Sequence, residues 1–399
     1  MPHQTLEQSL LDLLATQGVS TESLELHSVC TKIKTCEPLY DNTTFSNQAV
    51  IKRLLLLTVQ RDGEPSFVAG LMAYEYLVLR DSTQPVIVYI EKIDSSGVWA
   101  AATNSNGTKA RGPMRPLVQA YMHYCLSKYN TRRPVTFYTC ARTQPEYLFA
   151  NSKANQDKRV LDDSQLVRWW YRTLDTFRPH TGATGRAHWL IPGLDATEAQ
   201  LTVRSTGKDL TIPTKSKVNL NSEIPVTHET STWDYGFPGQ ASQRAHEVIP
   251  RFPDDPKTRL LAKAEAATWT LEEFASMLAI SEECGAGRRT GFFSLSFPKH
   301  HSKSDPAEVQ ELEDKSRCYE IPAKGWDTVL LLLFHQAMDF STLDRAQRST
   351  KRFLLWMSKK FRSKPLALRT LSVKASPKVT HKDPDAEGSG PPSKKSRLD

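Results

Sequence analysis

The sequence predicts an α/β protein in which helices wrap a central mixed, largely antiparallel sheet. Two observations lead to this fold class. Four strand-like segments follow one another within the first hundred residues, with turn residues such as RDGEPS (61–66) between them, and this spacing is typical of antiparallel hairpins. Segments with apolar residues at helical spacing precede and follow these strands, which indicates that helices cover the sheet.

The N-terminal part of the chain supplies the first helix and most of the predicted sheet. Residues 6–17, LEQSLLDLLATQ, place apolar side chains at helical spacing and predict an amphipathic helix. The strands that follow are predicted at 24–34, 50–60, 66–80 and 85–94.

Two helices and one more strand are predicted in the middle of the chain. Residues 113–129 predict a helix, and RPVTFYTCA at 133–141 predicts a strand. Residues 162–177, DDSQLVRWWYRTLDTF, predict a helix that Asp163 or Ser164 caps. The apolar face of this helix is expected to consist of Leu166, Trp170, Leu174 and Phe177.

Helices dominate the prediction for the second half of the chain. RAHWLIPGLD at 186–195 indicates a strand that ends in a turn, and residues 203–245, rich in Thr, Ser, Lys, Pro and Gly, indicate a flexible insertion. Helices are predicted from Pro256, at 270–283, at 326–338 as a buried aliphatic helix, and at 342–363.

The positive charge of the chain is concentrated near its C-terminus. The net charge is +8, but residues 345–374 hold ten Lys or Arg and no Asp or Glu, which leaves 42 of the 52 basic residues against 44 acidic ones elsewhere. We expect one domain over 1–372, with a basic helical segment at 342–374 that could meet DNA, an acidic protein or a phosphate-bearing cofactor. Residues 375–399 are predicted to be a disordered basic tail, in which Lys394, Lys395 and Arg397 resemble a short nuclear-import signal.

Several classes of protein are disfavoured by what the sequence lacks. No run of 18 apolar residues predicts a membrane span, and the N-terminus shows no secretory signal. The six cysteines are scattered without a C-x-x-C pair, which argues against a zinc site or disulfide framework and suggests a reducing compartment. The phosphate-binding, dinucleotide, serine-hydrolase and H-E-x-x-H motifs are absent, which disfavours ATP hydrolysis, dinucleotide redox chemistry and serine hydrolysis. No metal is expected.

The segment RFPDDPKTR, residues 251–259, has both a structural and a chemical interpretation. Asp is favoured at a helix N-cap and Pro at the first helical position, so Asp254 or Asp255 before Pro256 can begin a helix. One Asp suffices for the cap. The second carboxylate is free to orient a lysine substrate or to accept its proton.

Three other sites also carry two interpretations. Trp169 and Trp170 differ by about 100° of helix rotation, so one can be core while the other covers the flank, or one indole can wall a channel. The loop 144–159 is either an ordinary surface loop or a cradle for a phosphate-bearing ligand, with Lys153, Lys158 and Arg159 nearby. Asp94 ends a strand, where turn chemistry accounts for it.

Taken together, five blocks resemble the fungal family of chaperone-dependent histone H3 lysine acetyltransferases. They follow in order between residues 90 and 259, and the proline-flanked Asp-Asp with an upstream tandem Trp is their most specific combination. The blocks are IEKID (90–94), YLF (147–149), LVRWW (166–170), LIPG (190–193) and IPRFPDDPKTR (249–259). The resemblance implies a fold like the acetyltransferase domain of CREB-binding-protein-type enzymes, with acetyl-CoA in a groove.

The same resemblance implies roles for individual residues. Tyr147 and Trp170 would wall the channel between the acetyl group and the incoming lysine, with Trp169 beside them. Asp94, Asp254 and Asp255 would lie near the substrate entrance, and Lys257 would be the buried lysine that the enzyme acetylates on itself. The acetyl-CoA contacts would come from Arg142, Tyr147, Lys153, Arg159, Trp169 and Trp170.

The chain departs from the family pattern at two places. Arg159 stands where at least one relative has His, and a guanidinium cannot act as a base, so position 159 is expected to contact a CoA phosphate. The Lys-rich insertion that some relatives carry is also absent, because SKYNTRRP (127–134) is short. Any docking role of that insertion would be missing here.

The expected mechanism relies on positioning more than on a strong base. A free lysine has a pKa of about 10.4, so losing its proton is costly at neutral pH. No His or Glu stands out at the implied site. The proton is therefore expected to leave through Asp255, Asp94 or water, while an aromatic channel lowers the pKa of the substrate lysine.

The resemblance also implies partners and a location. The substrate would be histone H3 with its dimer partner, in the nucleus, in chromatin assembly, replication and the response to DNA damage. Because both a histone and the segment 345–374 are basic, an acidic histone chaperone is expected to bridge them and stimulate activity. The alternative is a non-catalytic nuclear adaptor that contacts DNA weakly through 345–374.

Overall fold

The computed structural model describes ten parts of the chain, and the fold is stated for these parts alone. They are residues 5–17, 19, 24–41, 47–101, 112–178, 185–204, 233–285, 287–300, 318–361 and 370–371. The helices in these parts are α1 (Leu6–Thr16), α2 (Met114–Tyr129), α3 (Asp163–Phe177), α4 (Ala196–Arg204), α5 (Ala245–Val248), α6 (Pro256–Leu261), α7 (Leu271–Ala279), α8 (Trp326–Leu333) and α9 (Leu343–Phe361). The strands are β1 (Leu24–Thr31), β2 (Lys34–Thr35), β3 (Gln48–Arg61), β4 (Glu64–Val78), β5 (Val86–Ser95), β6 (Val135–Ala141), β7 (Arg186–Leu190), β8 (Trp233–Tyr235), β9 (Gly291–Phe297), β10 (Tyr319–Ile321) and β11 (Thr370–Leu371).

One mixed sheet contains all the described strands, in the order β10-β1-β3-β4-β5-β6-β9-β7-β8, with β11 paired to β1 and β2 to β3. The neighbours β10–β1, β5–β6 and β7–β8 are parallel. The remaining pairs are antiparallel. The predicted fold class, a largely antiparallel mixed sheet flanked by helices, is confirmed.

The long hairpin of β3 and β4 follows from its turn residues. Asp62 and Gly63 both have positive φ, 53° and 77°, and two positive φ values belong to the type I′ turn that matches the twist of paired strands. The pair Arg61↔Glu64 closes the turn. The predicted hairpin at RDGEPS is confirmed.

Helices α3 and α6 approach the sheet from opposite faces. Phe137 and Cys140 are three residues apart on β6, so their side chains point to opposite faces. Phe137 packs against Phe177 of α3. Cys140 pairs with Phe292 of β9, and the Lys257 ammonium of α6 lies 4.2 Å from the centre of the Phe292 ring.

The structure corrects several predicted elements. Asp162, not Asp163 or Ser164, caps α3, through a reciprocal capping box with Gln165. The aliphatic helix predicted at 326–338 ends at Leu333, and it is not buried on all sides because Leu331 is 72% exposed. The helix from Pro256 is only six residues long.

Several elements were not predicted, among them α5, β8, β10 and β11, and two predictions extend beyond the described residues. Helix α4 and the central strand β9 were both missed. Residues 233–245 of the predicted insertion include β8 and the first residue of α5, whereas 205–232 and the tail 375–399 lie outside the described residues. The domain boundaries stay a prediction.

Candidate active site

Asp94 lies near the carboxyl end of β5 and holds the segment that follows β6. Its Oδ2 accepts hydrogen bonds from the backbone N–H groups of Tyr147 and Leu148, both at 2.8 Å, and of Phe149 at 3.1 Å. Its Oδ1 accepts from Lys158 Nζ at 2.7 Å. Both side chains are about 5% exposed or less. Asp94 is therefore committed to four donors.

The close approach of segment 147–149 to the sheet depends on a glycine. Gly70 of β4 pairs with Asp94, and a Cβ at position 70 would lie 2.9 Å from the Leu148 side chain. Real Cβ atoms are essentially never found that close to another heavy atom, so a larger residue at position 70 would force the Leu148 side chain to shift.

The segment RFPDDP is fixed on the face of the sheet that α6 covers. Phe252 is 1% exposed and stacks on Tyr89 of β5, with the ring centres 4.1 Å apart and the planes 4° from parallel. Thr258 of α6 donates its hydroxyl to the Phe252 carbonyl at 2.7 Å. These contacts place the two aspartates that follow at the edge of the sheet.

Asp255 caps α6 and also pairs with a buried lysine. Its Oδ1 accepts from the Lys257 backbone N–H at 2.8 Å, and its Oδ2 lies 2.5 Å from Lys257 Nζ. Asp255 is fully buried and Lys257 is 4% exposed. The expectation that Asp255 or Asp254 caps the helix is confirmed for Asp255, and the same carboxylate neutralises the buried ammonium.

Asp254 has the opposite environment, at the surface among cations. Its backbone has a φ of 50°, a left-handed conformation that Asp tolerates, and its side chain is 43% exposed. The carboxylate lies 3.0 Å from Lys92 Nζ and 3.4 Å from the guanidinium groups of Arg142 and Arg259. Burial would raise the pKa of Asp254, but these cations lower it below its usual value.

Arg142 and Arg259 share a second carboxylate, that of Glu283. Arg142 Nη1 lies 2.5 Å from Glu283 Oε2, and Arg259 holds both oxygens of the same group. The hydrogen bonds from Arg259 are the main cause of the lowered pKa of Glu283. Asp254, Glu283 and the two arginines thus form a partly exposed ion cluster.

Glu91 and Lys92 are adjacent in β5, and their side chains form an ion pair. The Glu91 side chain is 4% exposed. The expectation that no Glu lies at the site is therefore wrong, because Glu91 and Glu283 both contact the cations around Asp254.

Tyr147 is half-buried and links the end of β5 with the segment that follows β6. Its backbone N–H donates to Asp94, and its hydroxyl donates to the Arg142 carbonyl. Burial raises the pKa of Tyr147, which keeps the phenol neutral. Its ring packs against the main hydrophobic core.

The two adjacent tryptophans differ in burial, as the helix rotation between them predicts. Trp170 is 3% exposed and belongs to the main core, whereas Trp169 is partly exposed and packs on its edge. Their rings meet edge to face, with centres 5.2 Å apart, and Arg115 lies 5.9 Å from the Trp169 ring centre. Trp170 is thus a core residue on α3.

The loop 142–159 presents polar groups to solvent. Lys153 and Arg159 are exposed, and Lys153 lies 4.0 Å from Glu146. The Thr143 hydroxyl is buried, and no described residue forms a hydrogen bond with it. Of the cradle lysines considered from the sequence, Lys158 is buried on Asp94 and does not face solvent.

Two residues without a predicted role, Lys92 and Glu283, complete the site by contacting predicted residues that are distant in sequence. Lys92 and Asp254 are 162 positions apart, and Arg142 and Glu283 are 141 apart. No periodicity or local motif reports such pairs. Among the described residues, no group of three or more His, Cys, Asp or Glu could hold a metal ion, and no helix has the length and apolarity to cross a membrane.

Comparison with known proteins identifies the family of the chain. The family model of the histone acetyltransferase KAT11-type domain matches residues 102–355. The chain belongs to the KAT11-type histone acetyltransferases. It is similar to the histone acetyltransferase rtt109 of Schizosaccharomyces pombe, 27% identical over 363 residues that cover 86% of this chain and 85% of that protein.

Further similarities agree with the KAT11-type assignment. The histone acetyltransferase rtt109 of Aspergillus flavus is 26% identical over 277 residues, 59% of this chain and 46% of that protein. The crystal structure of Rtt109 from Aspergillus fumigatus shares the fold, with a TM-score of 0.65, 21% identity, and coverage of 88% of this chain and 95% of that one.

Membership of the KAT11-type family confirms the resemblance seen in the sequence. The chain is a fungal Rtt109-type histone lysine acetyltransferase, and the alternative of a non-catalytic adaptor is wrong. Histone acetyltransferases use acetyl-CoA as the acetyl donor, and their activity implies a chromatin-related nuclear role.

Proposed function

We propose that this acetyltransferase modifies lysines of histone H3 in the nucleus, that an acidic histone chaperone stimulates it, and that it acetylates itself on Lys257. The observation that carries the proposal is the arrangement around α6. A surface carboxylate, Asp254, and a buried lysine, Lys257, lie within three residues of each other. A substrate lysine and an internal lysine can therefore approach one acetyl donor from nearby positions.

The residues at the end of β6 fit acetyl-CoA. The buried Thr143 hydroxyl has no hydrogen-bond partner among the described residues, and the exposed Lys153 and Arg159 offer positive charge for phosphates. When bound, acetyl-CoA supplies an acetyl thioester. We assign Arg142, Lys153 and Arg159 to the phosphate-bearing part, and Tyr147, Trp169 and Trp170 to the acyl end.

In this scheme Tyr147 and Trp170 wall the lysine channel from two sides. Trp170 comes from the α3 face and Tyr147 from the loop after β6, and aromatic walls exclude water from an aliphatic side chain. Asp94 acts through its hydrogen bonds to the backbone of 147–149, so it is a positioning residue in this scheme. Exclusion of water also favours the neutral form of the attacking amine.

The three aspartates take different roles because their partners differ. Asp254 is partly exposed, so its carboxylate can contact the substrate ammonium in competition with Lys92, Arg142 and Arg259. Asp255 is buried on Lys257, so its first role is to hold that lysine near the site. Neither Asp94 nor Asp255 presents an unoccupied oxygen surface to solvent, which makes them poor acceptors for the substrate proton.

The chaperone part of the proposal rests on α9. Its exposed Arg345, Arg348 and Lys351 each lie beside an acidic residue of the same chain, so their charges are partly neutralised. Lys359 and Lys360 at its C-terminal end are exposed. We place the acidic chaperone at this end of α9, and weak DNA contact through 345–374 stays a prediction.

The test uses purified histone H3–H4 as substrate, with and without an acidic histone chaperone. We expect faster acetylation of H3 in the presence of the chaperone, and label from acetyl-CoA on Lys257. Equal rates with and without the chaperone would refute the stimulation. Preferential acetylation of H4 would refute the substrate assignment. A Lys257→Arg variant that still took up all of the self-acetylation label would refute the assignment of Lys257.

A further inference from the structure

Glu91 reaches the active-site face of the sheet through a β-bulge. The pairing of β5 with β4 runs regularly to Ile90↔Ala73 and resumes at Lys92↔Met72, so Glu91 is an extra residue with no partner of its own in β4. Bulges re-aim side chains and recur beside active sites. Because of the extra residue, Glu91 and Lys92 share a face, and Lys92 Nζ contacts Glu91 Oε1.

The Glu91 carboxyl is buried and only partly satisfied. Its side chain is 4% exposed, and its Oε2 is buried without a hydrogen-bond partner in the described part of the chain. The carboxyl interacts electrostatically with Tyr74, which also hydrogen-bonds to it, with Tyr76 and Tyr89, with the Lys92 ammonium and with the Asp254 carboxylate. Burial raises the pKa of Glu91 above its usual value and outweighs the lowering by Lys92.

The other carboxylates at this edge are held by more donors. Asp94 accepts from three backbone N–H groups and from a lysine. Asp255 accepts from a backbone N–H and a buried ammonium. Asp254 lies among three cations, which lower its pKa. The cations around Asp254 stabilise its charged form, and the oxygens of Asp94 and Asp255 are already occupied by their donors.

Lys92 connects the buried Glu91 carboxyl with the partly exposed Asp254 carboxylate. Its ammonium contacts Glu91 on one side and lies 3.0 Å from Asp254 Oδ2 on the other. Its side chain is 17% exposed, whereas that of Asp254 is 43% exposed. The three groups thus form a path from the surface carboxylate to the buried one.

We propose that Glu91 is the final acceptor of the proton that the substrate amine loses, and that Lys92 delivers it. The substrate ammonium gives one proton to Lys92 as Lys92 gives one to Glu91 Oε1. The products are a neutral substrate amine, a Lys92 that is still protonated, and a neutral Glu91 carboxyl. The inference rests on the proposed function in one respect, that the substrate amine enters beside Asp254.

The test is the pH dependence of kcat with saturating acetyl-CoA and histone. In the wild-type protein kcat falls as the pH is lowered through the pKa of Glu91, because only the carboxylate can take the proton. In Glu91→Gln we expect kcat to fall about 10²-fold, the lower end of the usual contribution of a general base, and the acid limb to disappear. Glu91→Asp should restore part of kcat and the fall of kcat at low pH.

Two further variants separate this role from a structural one. Glu320→Gln removes another strand glutamate that lies near a lysine, 4.0 Å from Lys32 and 52% exposed, and should leave the pH profile unchanged. Lys92→Arg keeps the charge beside Asp254, but a guanidinium does not give up its proton, so kcat should fall while the KM for acetyl-CoA stays the same. This variant tests the path even if Glu91→Gln does not fold.

The outcomes distinguish this inference from the proposed function. An active wild-type protein whose Glu91→Gln variant keeps both its kcat and its acid limb would overturn the inference alone. Full activity of Lys92→Arg would overturn the delivery through Lys92. A wild-type protein that acetylates no histone H3 under any condition would overturn the proposed function and this inference with it.

Discussion

Replacing Asp255 with Asn removes one charge from a buried ion pair while leaving the helix cap in place. Asn caps helices about as well as Asp, so the hydrogen bond to the Lys257 N–H should survive. The Lys257 ammonium, 4% exposed, would then be buried without its counter-charge. Breaking one side of a buried pair costs about 3–5 kcal/mol, a large part of the 5–15 kcal/mol that stabilises a typical protein.

The double variant Asp255→Asn/Lys257→Met should recover much of that loss. Met fills a similar volume without a charge, and the Phe292 ring that lies 4.2 Å from the ammonium can pack against it. We expect the cost of the double variant to be smaller than the sum of the two single costs by about 2–3 kcal/mol, the upper range for contacting residues. Asp255→Ala should cost about 1 kcal/mol more than Asp255→Asn, because it also loses the cap.

The assay is urea unfolding at neutral pH, followed by fluorescence and circular dichroism, of five proteins: the wild type, Asp255→Asn, Lys257→Met, the double variant and Asp255→Ala. The midpoints and slopes give the free energy of unfolding of each variant. If the two single costs added within about 0.5 kcal/mol, as they do for independent sites, Asp255 and Lys257 would not form a coupled pair. The assignment of Asp255 as the holder of Lys257 would then fail.

Three further predictions concern other parts of the site and the core. Asp94→Ala should raise the KM for acetyl-CoA in steady-state assays, because three backbone N–H groups of 147–149 lose their acceptor; an unchanged KM would contradict this. Burial raises the pKa of Glu75, but Arg53, Lys128 and Tyr129 together lower it to about 2. Its stabilisation of about 3 kcal/mol is therefore present above pH 4.5 and lost towards pH 2. Urea unfolding at pH 5 and pH 3 should show a smaller acid loss in Glu75→Gln than in the wild type. Trp170→Phe should lower kcat/KM about tenfold with the fold intact, and more than Trp169→Phe does; equal effects would argue against Trp170 as a channel wall.

Local patterns in the sequence predicted the parts of the site that depend on neighbouring residues. The start of α6 at Pro256 follows from the cap preference of Asp255, and the division between Trp169 and Trp170 follows from helix rotation. Both could be read without knowing the fold. The hairpin at Asp62 and Gly63 belongs to the same class of local signal.

Contacts between distant segments could not be predicted in this way. Strand β9, GFFSLSF, is an exception: its residues alternate apolar and polar from Phe293 to Phe297, a local strand signal that the prediction did not use. The partnership of Lys158 with Asp94 and the bulge at Glu91 depend on how β4, β5 and the loop after β6 meet. The cap of α3 was placed one or two residues too late, because Asp162 and Asp163 are adjacent and only the geometry separates them.

The most direct test of the account is the structure of this protein with a conjugate of CoA and a lysine peptide. We predict that the linkage between the two lies between Tyr147 and Trp170, with the lysine entering beside Asp254 and the phosphates near Lys153 and Arg159. Binding of the conjugate in the cleft lined by His188 and Phe237, which also reaches Lys257, would contradict the assignment of the active site.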